Sequence, residues 1–229
     1  MIKRIESIIE RYSNEFDLIV ENINNYLVMS RDTSQKDMNE TWKTTIDAVN
    51  SLAKIAEACF AYGNFKDNWE YSNFYQNFSG PELIIKSLKT NCGYNLGLDN
   101  KGIYLRTYIS HNDNIRYMGD DFWKSVLDLS EYKGFIYEEN EFTRTDRTRE
   151  FPQLFSANKS MIYRIMRKYI FDQTDPNFRE GSSSVGELKI FLPFDTDVEE
   201  IIREFCTAFK IMYQLNYKLW KVSDLKKTN

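Results

Sequence analysis

The chain has 229 residues, of which 42% are hydrophobic and 28% charged, a composition that is typical of globular proteins and argues against global disorder. Its formal net charge of -4 gives the molecule as a whole no field that would attract nucleic acid or a membrane, so any such site must be a local patch. Aromatic residues make up 15%, which predicts ring-filled cores or an aromatic binding surface.

Two apolar seams at the start of the chain predict two long helices. In residues 2–28 the apolar side chains recur at alternating steps of four and three, and residues 38–62 repeat this rhythm. A polar, turn-like stretch at 29–36 separates them. We therefore expect an antiparallel helical hairpin over residues 1–62. The same seams could instead form a homodimer contact between two copies of the chain.

Segment 63–80 interleaves aromatic rings with asparagine and glutamine. Because Asn and Gly favour turns, we expect an ordered loop or broken helix that connects the hairpin to the rest. Its rings would either bind a protein partner, as amphipathic rings do at interfaces, or fill the gap between two parts of the chain. The candidate partner-binding residues are Phe65, Trp69, Tyr71, Phe74 and Tyr75.

Short helical and strand patterns alternate after residue 80. Pro81 suits the first position of a helix, and we expect one to about Asn91, with its apolar side chains inward: Leu83, Ile84, Ile85 and Leu88. The pattern predicts two strands, at residues 93–98 and 102–110, on either side of an Asp-Asn-Lys-Gly turn. Further patterns predict a helix capped by Asp120 or Asp121 that holds Leu127, a strand at 132–139 and a helix at 156–172 with Ile170 on its apolar face.

Residues 182–222 carry the strongest structural pattern. A strand over Gly186–Leu192 is followed by a long helix that begins near Asp197, with Thr196 and Glu199 as a capping box. Its apolar stripe is interrupted only by Asn216. These elements predict an α+β fold in which a mostly antiparallel sheet is covered by helices. The predicted domains are a helical hairpin (1–62), an aromatic connector (63–80) and an α+β domain (81–229).

Glu187 and Lys189 are two residues apart on the predicted strand, so their side chains point to the same face of the sheet. A carboxylate and a lysine on one strand face could hold a divalent metal and orient a water. This Glu-x-Lys pattern resembles the strand signature of the PD-(D/E)xK nuclease superfamily. The resemblance implies a metal-dependent nuclease, which also needs an upstream acid; Asp99, Glu138 and Glu139 are the acids available. The alternative is a half-exposed strand with a charged face.

Arg106 and His111 are five residues apart, the spacing found in HEPN ribonucleases, to which this pair is similar. In that family the pair lies on a helix, whereas residues 103–109 alternate like a strand. A histidine at a strand end is the alternative interpretation.

A local excess of basic residues falls between 144 and 168. Such a cluster could contact phosphates of a nucleic acid or the acidic surface of a protein, or it could be solvated. The candidate anion-binding residues are Arg144, Arg147, Arg149, Arg164, Arg167 and Lys168.

The sequence shows no glycine-rich phosphate loop, Gly-x-Ser-x-Gly or Cys-x-x-Cys motif. Its three cysteines are scattered in apolar contexts, which predicts core residues rather than metal ligands. No apolar run is long enough to span a membrane, so we expect a cytoplasmic protein without cofactor or bound metal.

These observations favour a non-catalytic protein-binding protein. The absence of catalytic motifs, the ring-rich segment at 64–78 and the charge patches of opposite sign lead us to expect an inhibitor, immunity or defence-accessory factor. The high content of Asn, Ile, Lys and Tyr leads us to expect a prokaryotic or phage source. The alternative is a nuclease or nucleic-acid binder that uses Glu187, Lys189 and the basic cluster.

Overall fold

The structure, a computed structural model, describes residues 1–25, 34–77, 80–138, 161–174 and 185–228, with the backbone alone at 73–77, 171–174, 227 and 228. In chain order these residues form α1 (Ile2–Asn24), α2 (Gln35–Gly63), β1 (Trp69–Asn77), β2 (Gly80–Ser87), β3 (Gly93–Leu98), β4 (Gly102–Tyr108), a 3-10 helix (Asn112–Tyr117), α3 (Asp120–Ser130), β5 (Phe135–Glu138), α4 (Met161–Thr174), β6 (Glu187–Pro193) and α5 (Val198–Thr228). The predicted α+β class is confirmed. Among the described helices, none has the length and apolar character needed to cross a bilayer.

The N-terminal helices form the predicted antiparallel hairpin. Arg4 near the start of α1 pairs with Asp47, whereas Asn22 near its end donates to Thr41 Oγ1 at 3.4 Å. Ser34 caps α2 by accepting a hydrogen bond from the Asp37 amide at 3.1 Å. The apolar seams are buried within the chain, which makes the hairpin intramolecular; a homodimer contact stays a prediction.

The six strands form one antiparallel sheet in the order β1-β2-β3-β4-β6-β5. β1 therefore lies at one edge and pairs with β2, with a register shift between Tyr71 and Asn73. Alternate strand residues such as Leu83, Ile85 and Leu96 are buried, and they share the face on which the helices pack.

The chain divides into two compact units. The first comprises Met1–Arg106 and Ile190–Lys210, and the second comprises Thr107–Lys189 and Ile211–Asn229. In the first unit, α1, α2 and the beginning of α5 supply the helical layer of the core, where Tyr12, Phe205 and Phe209 are fully buried.

In the second unit, Asn216 explains the interruption in the apolar stripe of α5. Its Nδ2 donates to Thr107 Oγ1 and to the Tyr108 carbonyl, and its Oδ1 accepts from the Ser110 amide at 3.0 Å. Only 2% of the residue is exposed. The amide side chain thus satisfies backbone groups at the end of β4 that an apolar residue would leave unpaired.

Two predicted elements were wrong. Residues 81–91 do not form a helix: Gly80–Ser87 is strand β2, with Leu83 and Ile85 on the buried face and Leu88 exposed beyond its end. The connector at 63–80 was predicted as a loop or broken helix, but Trp69–Asn77 is strand β1. In both cases pairing with a neighbouring strand overrides local propensity.

Smaller errors concern helix caps and exposure. Asp197, not Thr196, caps α5, since its Oδ1 accepts from the Glu199 amide at 2.8 Å. Gly119 precedes α3 in place of a capping Asp120 or Asp121. On the predicted helices, Leu127 and Ile170 are 43% and 53% exposed, so Ile170 lies at the edge of the apolar face and not in the core.

Candidate functional site

A groove in the first unit is lined by residues from three elements. Its volume is about 540 Å³, within the usual range of binding pockets. We call it the Tyr71 groove; its lining is Met1, which precedes α1, Arg4 and Ile5 on α1, Asn50, Ser51, Ala53, Lys54 and Glu57 on α2, and Tyr71 on β1. The groove therefore exists only because the hairpin packs beside the first strand of the sheet.

Tyr71 is positioned by both the sheet and the hairpin. It pairs with Ile85 of β2 and is the last residue before the register shift in β1. Its hydroxyl donates to the Ala53 carbonyl on α2 at 3.3 Å. Because β1 is an edge strand, the ring remains 45% exposed despite this anchor. The result is an oriented ring with a free face at the groove.

The charges of the Tyr71 groove are largely paired within the protein. Lys54 Nζ lies 2.7 Å from a Glu57 carboxylate oxygen, and Arg4 pairs with Asp47. Burial raises the pKa of Tyr71, and the Glu57 carboxylate raises it further, so the hydroxyl stays protonated at neutral pH. A neutral aromatic ring with a rim of paired charges suits binding rather than acid-base chemistry.

The other predicted partner-binding residues lie in different surroundings. Phe65 and Trp69 pack into a cluster of rings with Phe60, Tyr94 and Phe209; Trp69 stacks on Phe60 with a centroid distance of 4.5 Å. Their rings thus bury area inside the first unit. Phe74 and Tyr75 belong to β1, but their side chains lie outside the described residues.

The predicted nuclease pair lies on β6, as expected. Glu187 is only 6% exposed, whereas Lys189 is half-buried. Glu138 is on neighbouring β5, and its carbonyl lies near Gly186, but its side chain is exposed. Across the residues that the structure describes, no three His, Cys, Asp or Glu side chains are grouped so that they could hold a metal ion. The nuclease interpretation stays a prediction.

The basic cluster is described only in part. Arg144, Arg147 and Arg149 lie outside the described residues. On α4, Arg164 donates to the Tyr137 carbonyl at 3.1 Å and lies over the Tyr137 ring, and Arg167 lies over Tyr163. Lys168 is 3% exposed, which leaves little of its side chain for a phosphate. The described cluster therefore has intramolecular contacts, and anion binding stays a prediction.

Arg106 belongs to a polar cluster on the sheet face opposite the helices. Glu82 on β2 accepts from Asn95 Nδ2 at 2.8 Å and from the Tyr104 hydroxyl at 2.7 Å, and it pairs with Arg106. Burial and the Glu82 charge raise the pKa of Tyr104. Arg106 lies on a strand and binds this carboxylate, an arrangement unlike the helical pair of the HEPN ribonucleases.

The sequence pattern singled out Tyr71 and Arg106 but not the other residues of the groove or of the Glu82 cluster. The groove residues on α1 and α2 are ordinary flanking positions of the helices. No local pattern distinguishes them, because the groove depends on where β1 packs. Comparison with known proteins adds no information, since neither a family model nor a curated protein matches the chain.

Proposed function

We propose that this protein is a non-catalytic binding protein that docks a protein partner at the Tyr71 groove. The observation that carries the proposal is the half-exposed ring of Tyr71, held by a hydrogen bond to α2 beside a groove of about 540 Å³. Oriented tyrosines that enter or border a pocket are frequent anchors of protein interfaces.

The lining indicates the chemistry of the partner segment. Met1, which is 62% exposed, and half-buried Ala53 offer apolar surface, and the paired charges of Lys54 and Glu57 lie on the rim. An apolar side chain of the partner would enter the groove, and the partner's polar backbone would face the charged rim. Many protein interfaces have such an apolar centre and polar rim. The edge position of β1 supports an extended segment, since edge strands offer backbone groups for pairing.

We also propose a cellular role for this docking. A docking protein without catalysis fits an inhibitor, immunity or defence-accessory factor of a prokaryote or phage, and we propose that it acts in the cytoplasm. All three cysteines are buried and none forms a disulfide, which supports a reducing compartment.

Site-specific photo-crosslinking tests the proposal. A photoreactive phenylalanine analogue would replace Tyr71 in the native host, and Leu18, which is 56% exposed on α1, would carry the same analogue as a matched control. We expect one cross-linked protein from position 71 that excess unlabelled protein competes away, and that position 18 does not give. Equal cross-linking from both positions, or none from position 71, would contradict docking at the groove.

A further inference from the structure

The backbone groups of β2 face its two neighbouring strands in turn, and two hydrogen bonds show which residues face which strand. The amide of Leu88, directly after β2, donates to the carbonyl of Asn68, directly before β1, at 2.9 Å. The Ser87 amide donates to the Cys92 carbonyl, on the β3 side, at 3.0 Å. Because the direction changes with every residue of an antiparallel strand, Ile85 also faces β3 and not β1.

Tyr71 pairs with Ile85, so its own N–H and C=O point away from β2. β1 is the edge strand, and on that side these two groups have no hydrogen-bond partner among the residues that the structure describes. Glu70, Tyr71 and Ser72 are all exposed. The outward N–H and C=O of Tyr71 therefore lie open beside the Tyr71 groove.

We propose that the partner segment at the Tyr71 groove is a β-strand that pairs antiparallel with β1, with an apolar residue opposite Tyr71 and a basic residue directly after it. The inference rests on the proposed function and names the conformation and chemistry of the segment that docks there. An antiparallel strand forms both hydrogen bonds, to the N–H and to the C=O of Tyr71, with a single residue of the partner. This arrangement suits the short regular edge, which ends at the register shift after Tyr71.

The two faces of β1 determine the side chains of the partner strand. Tyr71 and the residue opposite it point to the face on which the helices pack, so that residue enters the groove. Glu70 points to the other face, and its side chain is 49% exposed. Its carboxylate lies 3.9 Å from Lys86 Nζ, beyond hydrogen-bond distance, which leaves room for a lysine or arginine of the partner on the open side.

A second copy of the chain does not fit this edge. Pairing centred on Tyr71 would place the two Tyr71 rings opposite each other. Each hydroxyl already donates to the Ala53 carbonyl of its own α2 at 3.3 Å, so neither ring can enter the groove of the other copy. Pairing centred on Glu70 would place two carboxylates opposite each other, which is destabilising. The occupant is therefore a segment of a different protein.

Titration with synthetic peptides tests the inference on the unmodified protein. The probe is a capped peptide of alternating valine and lysine, in which a valine would face Tyr71. N-methylation of the valines removes the N–H that bonds to the Tyr71 carbonyl, whereas N-methylation of the lysines, whose amides point to solvent, is the matched control. We expect the first change to weaken binding roughly tenfold and the second to alter it less than about twofold. Glutamate in place of lysine should also weaken binding, because it would face Glu70.

Amide hydrogen exchange, followed by NMR, supplies a second measurement. Saturation with the unmodified peptide should slow exchange of the Tyr71 amide roughly tenfold or more, because its N–H gains a partner. The Glu70 amide already faces β2 and should change little.

Three results would overturn the strand pairing: an unmodified peptide that does not bind, a bound peptide that leaves exchange at Tyr71 unchanged, or equal affinities of the two methylated peptides. These failures differ from failure of the proposed function, which is the absence of a specific cross-link from position 71. A cross-link from position 71 without pairing by the peptide would leave docking at the groove intact and remove only the added strand.

Discussion

Replacing Gly97 with alanine would test the contact among three neighbouring strands of the first unit. Tyr104 extends from β4 across Gly97 of β3 and donates to Glu82 of β2 at 2.7 Å. Gly97 pairs directly with Glu82 in the sheet register. A Cβ on Gly97 would lie 2.2 Å from the Tyr104 hydroxyl oxygen, so the ring would have to move.

The expected loss of stability follows from two costs. Moving Tyr104 breaks its hydrogen bond to Glu82, a buried carboxylate, and hydrogen bonds to charged groups contribute about 1.5–3 kcal/mol. Holding the ring away from its preferred rotamer adds about 0.5–1.5 kcal/mol. We therefore expect Gly97→Ala to lower the free energy of unfolding by about 2–4.5 kcal/mol.

Urea titration followed by circular dichroism would measure this change against a matched control. Gly93 is on the same strand, and a Cβ there would meet no atom within 4 Å. Gly93→Ala should therefore alter the free energy of unfolding by less than about 0.5 kcal/mol. In a protein that already carries Tyr104→Ala, Gly97→Ala should lower the free energy of unfolding much less, because the ring that clashes with the new Cβ is absent.

Two outcomes would refute this reasoning. Equal effects of the Gly93 and Gly97 substitutions would show that Tyr104 does not lie over Gly97. A cost at Gly97 that persists in the Tyr104→Ala background would assign the cost to the backbone instead of the ring.

Three further predictions concern the core. Burial raises the pKa of Tyr12 to about 12, so above pH 10 the unfolded chain loses this proton while the folded chain keeps it. The free energy of unfolding should therefore fall by about 2–3 kcal/mol as the pH rises from 10 to 12. Urea titrations of Tyr12→Phe over the same pH range should show a smaller fall. Asn216→Ala removes three hydrogen bonds and should cost about 2–4 kcal/mol in the same assay, whereas exposed Gln214→Ala should cost less than about 0.5 kcal/mol. Trp69→Ala should cost about 3 kcal/mol and lower the melting temperature, because the ring stacks on Phe60; an unchanged melting temperature would contradict that packing.

The helices were predictable because their signals are local. In α5 the apolar stripe and the acidic first turn agree, and the one error, a cap at Thr196 in place of Asp197, is a shift of a single residue. Asn216 interrupts the stripe for a reason that sequence cannot show, since its partners lie more than 100 positions away.

The strands at the edge were not predictable by the same means. The run Leu83-Ile84-Ile85 suits a helix or a strand, and Pro81 suggested a helix start; pairing with β1 and β3 makes it a strand. In β1 the register shift after Tyr71 breaks the alternation of side chains, which hides the strand. The Tyr71 groove depends on both of these elements and could not be found without them.

Binding affinity at the Tyr71 groove is the most direct test of the proposed function. With the cross-linked partner purified, calorimetry would compare the wild type, Tyr71→Ala and a control, Leu18→Ala, each checked for intact folding. We predict that Tyr71→Ala weakens binding at least tenfold, about 1.4 kcal/mol or more, and that Leu18→Ala changes it less than about twofold. Equal affinities for all three proteins would contradict docking at the Tyr71 groove.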